Sequence, residues 1–224
     1  MRTFVFVLVM AVAVLLFGHW RNARRRAELQ ALAAAFGLTF ERAVLGVLDD
    51  GGRAGGAGPP SAPPLLRVLP GMETSSVSGT YNGVAVRLHR RSRGARMVVS
   101  GRHPMPLSVG LYVASRTAFD NIASRVGVQD LRTGNERFDR EVVIQGNAPA
   151  EITALFSQPE VQQAVLDVFQ TRMSTIDDDG VHGRLDDDGA DPAAIRPMLD
   201  AVTRAVLAID NARAFSGRLR HRQA

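Results

Sequence analysis

The chain has no cysteine, which excludes disulfides, thiolate catalysis and cysteine-ligated zinc. It has no lysine either, and all 27 basic residues are arginine. Schiff-base chemistry and the P-loop lysine are therefore excluded as well. All-arginine usage fits a GC-rich bacterial genome, a matter of codons rather than function. Several motifs are also missing. There is no G-x-S-x-G elbow, no G-x-x-x-x-G-K-[ST] loop and no G-x-G-x-x-G after a strand. The five histidines, His19, His89, His103, His182 and His221, include no H-x-x-x-H pair of the kind that holds a metal on a helix. No cofactor is expected.

What is present begins at the N-terminus. Thr3 to Trp20 is an almost unbroken apolar run of 18 residues, followed at once by Arg21, Arg24, Arg25 and Arg26. At 1.5 Å per residue it spans about 27 Å, close to the ~30 Å of a bilayer core. Trp20 stands where an interfacial aromatic belongs. A cleaved signal peptide fits less well, because the charge bias is reversed and no A-x-A site closes the run. The reading is an uncleaved single-pass anchor in a bacterial inner membrane. Positive flanks stay inside, so the domain is expected in the cytoplasm, with the periplasm as the alternative.

Charge is unevenly placed. Residues 1–100 carry 13 arginines against 5 acids and residues 101–224 carry 14 against 17, which is +8 and −3 of the total +5. An acidic C-terminal half argues against a nucleic-acid partner.

The expected organisation is an anchor over 1–20, a basic juxtamembrane helix and first strand over 21–48, and a Gly/Pro-rich flexible loop over 49–71. An α+β domain over 72–215 and a basic disordered tail over 216–224 follow. Leu29, Leu32, Ala33 and Phe36 recur at helical spacing. Ser75–Thr80 and Val84–Arg90 flank Asn82-Gly83, a type I′ hairpin signal. Met97–Ser100 reads as a third strand, and Leu107, Val109, Leu111 and Val113 alternate as a fourth. Thr117 and Asp120 resemble a capping box for a short helix carrying Phe119, Ile122 and Val126. Glu141–Gln145 reads as another strand. Pro149–Phe156 is a helix capped by Asn147, and Ser157 with Glu160 is a capping box for the next. Met173–Asp178 and Val181–Leu185 form a hairpin turned at Asp179-Gly180. Asp191 and Pro192 open a long last helix with the stripe Ile195, Met198, Leu199, Val202, Val206 and Ile209. The sum is an antiparallel sheet of about six or seven strands with packed helices, an α+β fold.

Two acidic runs, Asp177–Gly180 and Asp186–Gly189, invite a calcium reading with Asp177, Asp179, Asp186 and Asp188 as ligands. The EF-hand template fails, since position 5 from Asp177 is Val181 and position 6 is His182. Turn and cap chemistry accounts for both runs more simply. His182 reads as an exposed hairpin histidine. Arg90, Arg91, Arg93 and Arg96 form a basic hairpin suited to anionic headgroups, and no aromatics are interleaved there for stacking bases.

Two motifs carry a resemblance. They are Gly79-Thr80-Tyr81-Asn82-Gly83-Val84 in the first hairpin and Thr133-Gly134-Asn135-x-x-Phe138-Asp139 ahead of Val142-Val143-Ile144-Gln145-Gly146-Asn147, with Pro159-Glu160 opening a later helix. From Gly79 to Phe169 the chain resembles a group of uncharacterised bacterial membrane proteins with a short transmembrane region and an α+β domain. Relatives there often have Asp at the position of Asn135 and an aromatic at that of Val142. The resemblance implies the architecture and no activity. Phe138 and Asp139 read physically as a core anchor and a turn or cap residue. The functional expectation is a membrane-tethered, non-enzymatic domain that binds a protein partner or scaffolds an envelope-associated assembly. The alternatives are a metal-dependent hydrolase or Ca-binding module at Asp177–Asp188, and an anionic-lipid module.

Overall fold

The computed structural model describes residues 2–43, 74–90, 97–119, 130–170, 174–185 and 191–223, with the side chains of 2–9, 11–15, 18, 21, 22, 42, 43, 74, 118, 119 and 216–223 outside the described set. The first element, α1, runs unbroken from Arg2 to Phe36, about 52 Å at the helical rise. Its last turns enter the core: Leu29, Leu32, Ala33 and Phe36 are all buried, as their spacing predicts. Among the described residues no helix is long and apolar enough to cross a membrane; most of the apolar run lies among the undescribed side chains.

The strands are β1 (Thr39–Ala43), β2 (Thr74–Tyr81), β3 (Val84–Arg90), β4 (Met97–Arg102), β5 (Tyr112–Ser115), β6 (Val142–Gln145), β7 (Thr175–Asp177) and β8 (Gly180–Leu185). They form one antiparallel sheet in the order β1-β2-β3-β4-β8-β7-β5-β6. The fold is α+β with eight strands, against the six or seven expected; β1 pairs along all of its length with β2, and the Asp-Gly hairpin bridges the two halves. Asn82 (φ 49°) and Gly83 (φ 82°) both take positive φ, as a type I′ turn requires.

The shorter helices are α2 (Arg116–Phe119), α3 (Glu136–Glu141), α4 (Pro149–Phe156) and α5 (Pro159–Phe169), and the long last one is α6 (Pro192–Gln223). The expected stripe of α6 is wholly buried and lies on β3, β4 and β8. The helix continues through Gln223, over the segment expected to be a disordered tail. Asp191 caps it, accepting from the Ala193 N–H at 2.9 Å. Tyr81 on β2 donates to Asp200 Oδ1 of α6 at 2.8 Å. That bond, with burial and the Asp200 charge, raises the phenol above its usual pKa.

Three expectations fail locally. Residues 107–111 are not a strand, because Ser108 (φ 59°) and Gly110 (φ 64°) are left-handed and strand pairing begins at Tyr112. Glu141 ends a helix rather than starting a strand. Neither Asn147 nor a Ser157–Glu160 box caps a helix. The N-caps are Ala148 and Gln158, each without a side-chain bond and each followed by a proline at N1. Ser157 Oγ instead donates back to the Ala154 carbonyl at 3.0 Å. The expected flexible loop, the Arg91–Gly94 turn and residues 120–126 lie outside the described residues.

Candidate functional site

Register decides which side chains meet. Across the sheet Ser78, Arg87, Ser100, His182 and Thr175 stand in one row, on the face opposite α6. The helix face has Gly101 and Gly183, against which Val202, Val206 and Met198 press. Within the polar row His182 bridges two partners. Its Nδ1 lies 3.0 Å from Ser100 Oγ and its Nε2 3.2 Å from Asp177 Oδ2. His182 is thus a half-buried member of a hydroxyl–imidazole–carboxylate relay, not the free hairpin histidine expected. Burial alone pushes the Asp177 carboxyl up. The hydrogen bond and charge of His182, with the N–H groups of Asp179 and Gly180, outweigh it and hold the carboxyl below its usual value.

Such a relay polarises a serine hydroxyl, but acyl transfer also needs donors aimed at the developing oxyanion. Ser100 lies on β4, paired with Arg87 on one side and His182 on the other. Its neighbouring backbone N–H groups are committed to those ladders. The arrangement ties β8 to β4. Because the carboxyl is depressed in the folded state, its contribution to stability is present in full above about pH 4 and is lost as pH falls through the lowered value. The stability gap between the wild type and Asp177→Asn should therefore close on acidification below about pH 4. Urea unfolding across that range measures it, and a gap unchanged down to strong acid would contradict the pairing.

The rest of the first acidic run builds the turn. Asp177 Oδ1 accepts from the N–H groups of Asp179 and Gly180 at 3.0 and 3.1 Å. The Asp178 carboxylate accepts from Val109, Gly110 and Leu111 at 3.2, 2.8 and 2.9 Å. Asp179 is exposed. Among the described residues no group of three or more His, Asp or Glu is placed to hold a metal, and Asp186 and Asp188 lie outside them. His103 stands apart from these runs. Its side chain is fully buried, with Nδ1 2.8 Å from Asp210 Oδ1 of α6, and its Nε2 has no partner among the described residues.

The Thr133–Asp139 motif is a clasp. Asp139, buried, accepts from Thr133 N–H and Oγ1 and from Gly134 N–H at 3.0, 2.9 and 3.2 Å. Asn135 caps α3 and donates to Gln162 Oε1 at 2.6 Å, and Phe138 is fully buried. Beside it Arg116, Arg132, Glu136, Asp139 and Arg140 line an open cleft of about 470 Å³. Arg116 is already held by Asp130 Oδ2 at 2.7 Å and by the Asp139 carbonyl at 2.9 Å. The lining sets three guanidinium groups against two carboxylates, and Asp130, outside the lining, already holds Arg116.

The basic hairpin changes meaning at its one described member. Alternation along β3 places Arg90 on the face shared with Val84, Val86 and Leu88, so it points toward α1. Its Nη1 meets Glu28 Oε2 at 2.9 Å, with the side chain 14% exposed. Arg90 is therefore a link to the stalk rather than a free tip residue. Arg91, Arg93 and Arg96 are outside the described residues. No family model matches the chain, no curated protein is significantly similar to it, and no solved structure shares its fold at a significant level.

Proposed function

We propose that the chain is a membrane-tethered binding or scaffolding module, anchored by the Thr3–Trp20 part of α1, whose α+β domain engages a protein partner and catalyses no reaction. The continuity of α1 carries this reading. The same helix that buries Leu29, Leu32 and Phe36 in the domain displays Met10, Leu16, Phe17 and Trp20, each more than half exposed, further upstream. Large apolar side chains displayed along one helix call for an apolar surrounding. With no break between Trp20 and Leu29, the domain is held about 13 Å from the interfacial tryptophan. The carboxylates of Asp177, Asp178 and Asp139 are spent on the chain's own backbone, which favours binding over catalysis. The arginines after Trp20 favour a cytoplasmic domain at the bacterial inner membrane.

Alkaline carbonate washing of membranes tests the anchor. The full chain should stay in the pellet, and a chain lacking residues 1–26 should move to the supernatant. Full-length protein released by carbonate would overturn the reading. A reporter fused after Ala224 should be active in its cytoplasmic and not its periplasmic form; the reverse would put the domain outside.

A further inference from the structure

We infer that the junction of α1 with the sheet is a binding site for the headgroup phosphate of an anionic phospholipid, with Arg24 as its ligand; this rests on the anchor reading above. Phe17, Trp20, Arg24 and Glu28 follow one another down one face of α1. The rings of Phe17 and Trp20 are 6.2 Å apart between centroids. The Arg24 guanidinium lies 6.0 Å from the Trp20 ring centroid. Arg24 Nε is 3.2 Å from Glu28 Oε1, and Glu28 Oε2 is 2.9 Å from Arg90 Nη1. One line of side chains thus joins the interfacial aromatics to strand β3.

Depth selects the ligand. With Trp20 at the edge of the hydrocarbon, Arg24 lies about 6 Å further out, inside a headgroup layer roughly 5–8 Å thick. The Glu28–Arg90 pair lies about 12 Å out, just beyond that layer. Arg24 is the member at phosphate depth, and its side chain is 68% exposed. A guanidinium packed on an aromatic ring keeps its N–H edge for an oxyanion and grips phosphate with two donors. Residues 21–28 hold four arginines and one acid, a charge complementary to an anionic surface. Glu28 makes the site compatible with a docked domain. One carboxylate oxygen serves Arg24 and the other Arg90, so a phosphate that takes Arg24 leaves the link to β3 in place.

Trp20 is the only tryptophan, so its fluorescence reports from the site itself. The full-length protein is placed in nanodiscs of zwitterionic lipid, with and without an anionic phospholipid. Brominated lipid should quench Trp20 in both. Absence of quenching overturns the anchor reading and this inference with it. Native mass spectrometry then reads which lipids stay bound. The wild type should retain anionic lipid in excess of its share, Arg24→Ala should lower that excess about five-fold, the worth of one arginine at such a surface, and Glu28→Gln should raise it. Quenched Trp20 with no anionic excess, with an excess that Arg24→Ala leaves unchanged, or with an excess that Glu28→Gln lowers, overturns the lipid site and leaves the anchor standing.

Discussion

Asp178→Ala should lower the stability of the domain by about 3 kcal/mol, which for a domain of this size moves the thermal midpoint by roughly 10 °C. The carboxylate collects three consecutive backbone N–H groups, those of Val109, Gly110 and Leu111, and the Asp178 carbonyl takes a fourth from Leu107 at 2.9 Å. Segment 107–111 makes no ladder bonds of its own. Ser108 and Gly110 are left-handed, while Leu107, Val109 and Leu111 are buried. Alanine leaves those donors without an acceptor beside a core, at a cost of about 1–3 kcal/mol for each one that water does not reach. Asp178→Asn keeps one acceptor oxygen and should lose about half as much. Thermal unfolding of the three full-length proteins decides it. If alanine costs under about 1 kcal/mol, the apolar side chains hold the segment and the carboxylate does not.

The same segment shows where the sequence misleads. Leu107, Val109, Leu111 and Val113 alternate as a strand would, and three of the four sit in an irregular loop. Alternate burial survives there because left-handed residues at 108 and 110 turn the chain while keeping the odd side chains inward. A serine at positive φ carries no warning, and the acceptor for the loop is 67–69 residues away. Strong local signals did transfer. The α6 stripe from Ile195 to Ile209, the Asn82-Gly83 turn and the Leu29–Phe36 face depend only on neighbouring residues. Helix α3 is six residues long with a single buried apolar side chain, Phe138, too short to show a period. The proline at N1 of α4 and of α5 was a better start signal than Asn147 or Ser157.

The relay and the stalk link were invisible for a related reason. Ser100 and His182 meet only because β4 pairs with β8 in that register, and no local feature of either strand states it. Arg90 is legible as basic, and its direction follows from the alternation along β3. Reading Val84, Val86 and Leu88 as the covered face also places residue 90 there. Glu28, the single acid among the stalk arginines, was the available hint that one of them, or an arginine from the sheet, would be paired.

Gly180→Ala should cost about 3 kcal/mol, the upper end of what overpacking costs, although it adds one methyl group. Gly180 opens β8 opposite Arg102 of β4. A Cβ there falls 2.1 Å from the Gly101 carbonyl oxygen and 3.1 Å from the Arg102 Cα, so the obstacle is backbone and cannot rotate away. The two strands must part, and they lie at the middle of the eight-stranded order. Parting them pulls His182 from Ser100 and loosens the turn whose N–H groups bond Asp177. Gly183→Ala is the control. Its nearest contact is the Met198 sulfur at 2.2 Å, the flexible end of a side chain that repacks readily, and it should cost about 1 kcal/mol. Urea unfolding ranks the two, and hydrogen exchange locates the damage. Gly180→Ala should lose amide protection in β4 and β8 while the β2–β3 hairpin keeps its own. Equal costs for the two variants would mean that β4 and β8 are not held as closely as their register implies.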